Sequence, residues 1–516
     1  MRICLISPPF NMDTFFDLEH HPFKQPIQTP GIAYIAGTLE ANGFDIDIID
    51  CPPQNISVEQ VIGRFKENMY DAVGVSIFIY NLMNATRICN EIKRINPSAF
   101  LFIGGFFPTT NIEYSFKLIH KLDCCVIGEG EYTTLALLKA LRDKTSYQEL
   151  PGIAYESVDR VIINEPTFFN SNLDSLAFPK ISFISKNNTA GIVSSRGCYG
   201  SCSFCAASQV YWKLYQGERV RKRSPENLVE EIEMLVKKYH VKNLIFLDDC
   251  FLVGSSNEIA YAETLHTLIK QKGINIRFVI STRADVIERS REVLIKLKDI
   301  GLSQVYIGCE SFVQRQLDYY NKKVTVAQNL NAIRILSELD IAYDMGLIYF
   351  EPYTTIDEII ENMKILYKLS EDKKCFAINV PVSTYQPLLP LQGSKIYDEL
   401  KKEKLMSTTN GFFDSFIDKK VGVLYKYIVN WIGAIKPIIK QFDLIYKAEL
   451  FMRHEVYEKL IEKRNEFFRF DIQFVEGLCL MIKNEYNIKK VNEYISISKE
   501  KAEQFKNSFE EIGREL

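Results

Sequence analysis

Short apolar runs separated by helix-length stretches recur twice along this chain, and that alternation leaves few architectures open. Between residues 2 and 141 the runs are RICLISPP, FDIDIID, DAVGVSIFI, FLFIGG and CCVIGEGE. The stretch PGIAYIAGTLEANG places Ile32, Ile35, Ala36 and Leu39 on one helical face, with Asn42-Gly43 as a C-terminal stop. A second helix is expected near 57–69 and another over YTTLALLKALRD. Five apolar strands with helical crossovers predict a Rossmann-like, doubly wound parallel sheet covered on both faces. Ligands of such sheets bind beyond the carboxyl ends of the strands, which here carry the loops SPPF, SIFIYN, GGFFPTT and GEGEYT.

The second alternation begins at Gly191 with GIVSSR, NLIFLDD, IRFVIST, QVYIGCE, YDMGLIYF and FAINVPV, again separated by helical stretches. Its first helix is marked by Ser224 as N-cap and Pro225 at the first helical position, with Leu228, Ile232, Leu235 and Val236 on one face. Six strand–helix units predict a partial (β/α)6 TIM-type barrel, with its functional rim at the strand carboxyl ends. The expected organisation is a sheet domain over 1–145, a linker with short strands over 146–185, the barrel over 186–400 and a helical C-terminal domain over 401–516. A length of 516 residues accommodates about three domains of ordinary size.

Charge and hydropathy exclude several classes. With 62 basic against 65 acidic residues there is no nucleic-acid footprint. The opening MRICLISPPF lacks the long apolar core of a secretory signal and reads as a strand, so a cytoplasmic chain is expected. The best membrane candidate, VGVLYKYIVNWIGAIKPII from Val421, is interrupted by Lys426, Asn430 and Lys436. It reads as a buried or partner-facing helix, not a transmembrane segment; association with a membrane surface stays open.

Twelve cysteines in such a chain indicate a reducing compartment. Nine are scattered, most within apolar runs that suit buried, inert thiols. Cys198, Cys202 and Cys205 instead form a C-x3-C-x2-C run, SSRGCYGSCSFC, directly after the first barrel strand. Three thiolates on one short loop hold three corners of a [4Fe-4S] cube and leave one iron open. A closed zinc site needs four protein ligands, and no His or Cys follows the loop within the next few tens of residues, the next cysteine being Cys250. An open iron–sulfur site is therefore favoured over zinc or a disulfide.

This loop, with Phe204 at its aromatic position, resembles that of the radical S-adenosylmethionine (SAM) enzymes, and the resemblance extends over roughly 185–400. It implies that the open iron chelates SAM and that reduction of the cluster yields a 5'-deoxyadenosyl radical. Glu310 in GCES resembles the family's SAM contact, and Arg283 in STRAD ends the third barrel strand, where an Arg could pair with the SAM carboxylate; for each the alternative is a surface ion pair or rim salt bridge. Asp248 and Asp249, ending the second barrel strand, are expected either to orient a ligand or to cap the next helix. The loop in QPLLPLQGSKIYDEL resembles the family's closing loop near the adenine.

Taken in order, the two halves are similar to the cobalamin-binding radical SAM group, whose class B members are methyltransferases. Gly104, Gly105, Gly128 and Gly130 would let the backbone approach a flat corrin. The D-x-H-x-x-G loop that supplies a cobalt-ligating histidine in many cobalamin proteins is missing; His20 and His21 lie outside such a pattern, and Phe107 stands where relatives often carry His. No protein histidine on cobalt is therefore expected, and a sheet domain that keeps the fold without the cofactor is the alternative.

The implied function is cobalamin-dependent C-methylation of an unactivated carbon. No catalytic side chain is assigned beyond the cluster ligands. The alternatives are a non-methylating radical SAM reaction (ring contraction, cyclisation, epimerisation or oxidation) and a non-catalytic corrinoid or iron–sulfur sensor. A flavodoxin or ferredoxin donor is implied, with a small-molecule, lipid or peptide substrate. The helical tail, with Tyr425, Trp431, Phe442 and Tyr446 among charged residues, is expected either to cover the barrel mouth or to buttress the barrel.

Overall fold

The computed structural model describes the chain except for residues 12–26, 159, 168–169, 216–218, 372–386, 407–412, 414, 443, 446–447 and 449–452. The first sheet has the strand order β2-β1-β3-β4-β5-β6-β7. β1 (Arg2–Ser7), β2 (Asp45–Asp50), β3 (Ala72–Ser76), β4 (Phe100–Gly104) and β5 (Cys124–Val126) run parallel. In β1, an interior strand, Ile3, Cys4, Leu5 and Ile6 are all buried, because the helices form an apolar core on each face of the sheet. The expected helix near 57–69 spans Val58–Glu67 and starts on a Ser57–Gln60 capping box. The order 2-1-3-4-5 reverses between β1 and β3, the place where doubly wound sheets open a ligand crevice.

The stretch expected to link the two halves also extends this sheet. β6 (Ile153–Ser157) pairs antiparallel with β5, and β7 (Arg160–Asn164) pairs antiparallel with β6. Beyond them the chain lies against the first helix, Pro30–Ala41, where the Gln28 side chain donates to the Lys180 carbonyl and accepts from the Ser182 amide.

The second sheet has the order β14-β13-β12-β11-β8, all parallel: β8 (Thr189–Ile192), β11 (Asn243–Phe246), β12 (Arg277–Arg283), β13 (Leu302–Glu310) and β14 (Ala342–Leu347). The sixth expected strand, FAINVPV, lies outside the described residues. A two-stranded antiparallel ribbon, β9 (Ser195–Arg196) with β10 (Arg221–Lys222), brackets the cysteine loop. Ser224 caps the helix Pro225–Tyr239 by accepting from the Asn227 amide.

The tail forms the helices Lys419–Gln441, His454–Asn484 and Ile488–Gly513. The first buries Val421, Leu424, Ile428, Trp431, Ile435 and Ile438, a three-four spacing that makes one packing stripe. Among the described residues no helix is long and apolar enough to cross a membrane. The bundle leans on the barrel helix Ile356–Leu369: Lys483 pairs with Asp357, and Arg469 donates to the Ser370 carbonyl. No described residue after Tyr397 lines the cavity below, so the described tail buttresses the barrel and does not cover its mouth. Tyr446 lies outside the described residues.

Trp431 is fully buried, stacks on Phe474 at 3.9 Å and donates from Nε1 to Asp471 at 2.7 Å. Trp431→Ala is therefore expected to cost about 3–5 kcal/mol, read as a lowered thermal midpoint by circular dichroism, whereas Trp212→Ala, at a half-exposed position, leaves the midpoint within about 0.5 kcal/mol of wild type.

Candidate active site

The carboxyl ends of the two sheets face each other across one cavity of about 900 Å³. Ser76, Gly104 and Val126, ending β3, β4 and β5, form one wall; Tyr306, Glu310 and Leu347, from β13 and β14, form the opposite one. Cys198, Phe204 and Cys205 reach the cavity from the ribbon side, as does the closing-loop segment 387–392. Two sheets with their strand ends opposed give a site that neither domain encloses alone.

Buried ion pairs fix the two halves to each other. Glu131 and Glu129, from the GEGE loop after β5, both pair with Arg196, the latter at 3.2 Å. Glu129 also pairs with Arg221, whose Nη1 donates to the Asn170 carbonyl at 2.6 Å. Arg196 and Arg221 belong to the ribbon that carries the cysteine loop, so the sheet domain grips that loop directly. Burial by itself would raise the Glu131 carboxyl, but the Arg196 guanidinium outweighs it and holds the group below its ordinary range. A second junction joins Tyr34, Glu231 and Arg223: Arg223 Nη1 lies 2.5 Å from Glu231, and the Tyr34 hydroxyl donates to the same carboxylate at 3.1 Å.

The cysteine loop bends sharply. Gly197 has φ 88°, and a Cβ there would stand 2.1 Å from the Arg219 carbonyl oxygen, so only glycine lets β10 pass beneath the first thiol. Cys198 Sγ accepts from the Gly200 amide at 3.4 Å. A hydrogen bond from the Cys250 thiol, then the Gly200 amide and the Arg283 charge, pull the Cys198 thiol down to about 6 against its burial. Among the described residues no three His, Cys, Asp or Glu side chains converge on a single-ion site. The ligands of a cube bind three separate irons, so the donor set of three thiols on one short loop fits a cluster with one iron left open.

Glu310 and Asp249 are cavity walls. Glu310 ends β13 with φ 63°, at a register shift against β14, and its carboxylate pairs with the buried Lys322 at 2.8 Å. A non-glycine residue held in the left-handed region costs about 1–3 kcal/mol and is a mark of functional sites. Asp249 faces the cavity, yet its desolvated carboxyl is raised, opposed only in part by a hydrogen bond from the Gly197 amide. Asp248 neither faces the cavity nor caps a helix: it is buried and accepts from Ser194 Oγ at 3.0 Å and from both the amide and hydroxyl of Ser195, pinning the start of the ribbon. Arg283 is not part of the cavity wall; its guanidinium points into the cysteine loop.

Gly104, Gly105, Gly128 and Gly130 all line the cavity. They are not equivalent. At Gly104 a Cβ would meet only Val126, at 3.6 Å, so the missing side chain leaves open the floor of the cavity and not a protein contact. Phe107 is buried in the same wall, and no histidine is among the described cavity residues; His20 and His21 lie outside the described residues. The scattered cysteines that are described are buried, while Cys375 lies outside the described residues.

A Rossmann-like sheet closed over a cysteine-bearing partial barrel defines a two-domain enzyme with one shared cofactor chamber. The B12 binding domain family matches residues 21–138, and the radical SAM superfamily matches residues 192–366. The chain thus carries a B12-binding domain ahead of a radical SAM domain. The cofactors of this pairing are a [4Fe-4S] cluster, SAM and cobalamin.

The chain is 26% identical over 421 residues to an uncharacterized methyltransferase of Pyrococcus horikoshii, covering 80% of this chain and 85% of the relative. It is 28% identical over 363 residues to the anaerobic magnesium-protoporphyrin IX monomethyl ester cyclase of Rubrivivax gelatinosus, covering 68% of this chain and 64% of the cyclase. The cobalamin-dependent SAM radical enzyme OxsB, solved with aqua-cobalamin bound, shares the fold with a TM-score of 0.73 at 18% identity, over all of this chain and 81% of OxsB.

Removing one partner from the interdomain cluster strands a buried charge, so Arg196→Met is expected to cost about 3–5 kcal/mol, measured as a lowered urea midpoint. Glu131 is depressed in the folded state, so its stabilisation is full above the unfolded carboxylate value of about 4.3 and is lost as pH falls through the lower folded value. The stability gap between wild type and Glu131→Gln is therefore open at neutral pH and closes on acidification.

Proposed function

We propose that this enzyme is a C-methyltransferase that acts on an unactivated carbon of a small-molecule substrate. The observation that carries this reading is the single chamber walled on one side by the glycine floor at Gly104 and on the other by the cysteine loop, Asp249 and Glu310. When bound, the cluster with SAM supplies hydrogen-atom abstraction, and cobalamin supplies a methyl carrier. Cys198, Cys202 and Cys205 are the ligands of the cluster, with Phe204 packing at Tyr320 beside them. Asp249 and Glu310 offer acceptors to the amino and hydroxyl groups of SAM. Gly104, Gly105, Gly128 and Gly130 would face the corrin. Phe78, Phe106 and Trp212 line the outer part of the chamber and restrict water. A low-potential flavodoxin or ferredoxin in a cytoplasmic, reducing compartment supplies electrons.

The relationship to a cyclase favours a second reading, in which the same chamber transforms its substrate without methyl transfer. Product analysis separates the two. Turnover that gives S-adenosylhomocysteine together with 5'-deoxyadenosine supports methylation; deoxyadenosine alone supports the second reading. Cys202→Ala is expected to abolish deoxyadenosine formation in either case.

The chamber also makes a residue-level prediction. Gly104→Leu extends a side chain into the corrin space, and is expected to lower cobalamin retained after anaerobic reconstitution by at least tenfold while leaving about four irons per chain. Retention of stoichiometric cobalamin by this variant would remove the sheet domain from the reading.

A further inference from the structure

The sequence pattern assigns Arg283 to the SAM carboxylate, but the fold turns it elsewhere. Nη1 donates to Cys202 Sγ at 3.3 Å. Nε is shared between the Tyr199 hydroxyl and Asp285 Oδ1, each at 3.0 Å, and Nη2 donates to the Lys322 carbonyl. The Tyr199 hydroxyl closes the ring by donating to Asp285 Oδ2 at 2.9 Å, while its aromatic ring lies 5.1 Å from the guanidinium carbon. Arg283 is only 6% exposed. Gly200 makes room for it: a Cβ there would stand 2.8 Å from Nη1 and 3.4 Å from Cys198 Sγ, inside the slot that the guanidinium occupies. The end of β12 is thus clamped to the middle of the C-x3-C loop by a fixed cation, not by a flexible surface ion pair.

We propose that Arg283 is a positioning residue that raises the reduction potential of the cluster through its charged hydrogen bond to Cys202. This rests on the cluster reading above. Reduction moves one electron from a low-potential donor protein onto the cluster, with no proton taken up, and adds one negative charge there. Hydrogen bonds to the ligating sulfurs and the local charge set the potential of such clusters. A guanidinium at hydrogen-bond distance favours the more negative, reduced state, and does so strongly because the pair is buried. Asp285 does not cancel the effect: it binds the Nε edge, so the positive end of the Arg283–Asp285 pair is the one aimed at the sulfur.

The test is a potentiometric titration of the reconstituted full chain, followed by electron paramagnetic resonance (EPR) of the reduced cluster, in wild type, Arg283→Gln and Arg283→Lys, with iron and sulfide counted in each. Arg283→Gln is expected to keep about four irons and to shift the midpoint to a more negative potential. Arg283→Lys, which keeps the charge but not the fork, is expected to shift it less in the same direction. In both, addition of SAM still perturbs the spectrum. An unshifted midpoint in a fully loaded Arg283→Gln overturns the proposal, and loss of the SAM effect at an unshifted midpoint returns Arg283 to the SAM carboxylate. If the Gln variant assembles no cluster, the Lys variant decides, and an unshifted midpoint there leaves Arg283 as scaffold only. A wild-type chain that assembles no four-iron cluster sinks the cluster reading instead, so the two failures are distinct.

Discussion

The carboxylate–guanidinium cluster of Glu129, Glu131, Arg196 and Arg221 is the contact on which the chamber depends. A doubly wound sheet and a partial barrel each present their ligand-binding edge at the strand carboxyl ends. Opposing two such edges leaves a gap wide enough for cofactors, and therefore a junction with little direct apolar packing at its centre. Charged pairs close to the gap provide directional fixing that apolar contacts cannot. They also tie the GEGE loop of one domain to the ribbon that brackets the cysteine loop of the other. Placement of the glycine wall relative to the thiols is thus set by four side chains, with the Tyr34–Glu231–Arg223 junction as a second anchor.

Within the barrel the same economy recurs. Asp248 is spent on Ser194 and Ser195, and Arg283 on Tyr199, Asp285 and Cys202, so two of the charged residues at the rim hold the loop in shape. Asp249 and Glu310 are strand-end carboxylates that face the chamber. The left-handed backbone at Glu310, stabilised by the buried Lys322, directs that carboxylate inward at a point where an ordinary strand would continue past the rim.

Much of this was legible in the residues. Alternating apolar runs and helical periods located strands β1 to β5 and the five described barrel strands, and the capping signal at Ser224 marked a true helix start. The C-x3-C-x2-C spacing picked out a loop whose Cys198 and Cys205 reach the chamber, and the glycines at the ends of β4 and β5 line it too. The roles of rim charges were less legible. Arg283 and Asp248 sit at strand ends, where a sequence pattern cannot separate a ligand contact from a loop brace, because a side chain's direction there depends on what the adjoining loop leaves open. Glu129 and Glu131, beside Gly128 and Gly130, carry no local signal, since their partners Arg221 and Arg196 lie 92 and 65 residues away. Lys322 and Tyr199 gave no local signal either.

Local propensity, burial periodicity and ligand spacing act over a few residues, and they are enough to determine that this chain makes a doubly wound sheet, a strand–helix barrel, a three-thiolate loop and a helical tail. The tertiary structure alone decided that the two strand-end edges face one another, that the described tail supports the barrel from outside, and which rim charges face the chamber. Those outcomes rest on electrostatic pairs and steric clearances between segments far apart in the chain. The energy of such a pair exists only once the fold has brought its members out of water and into register.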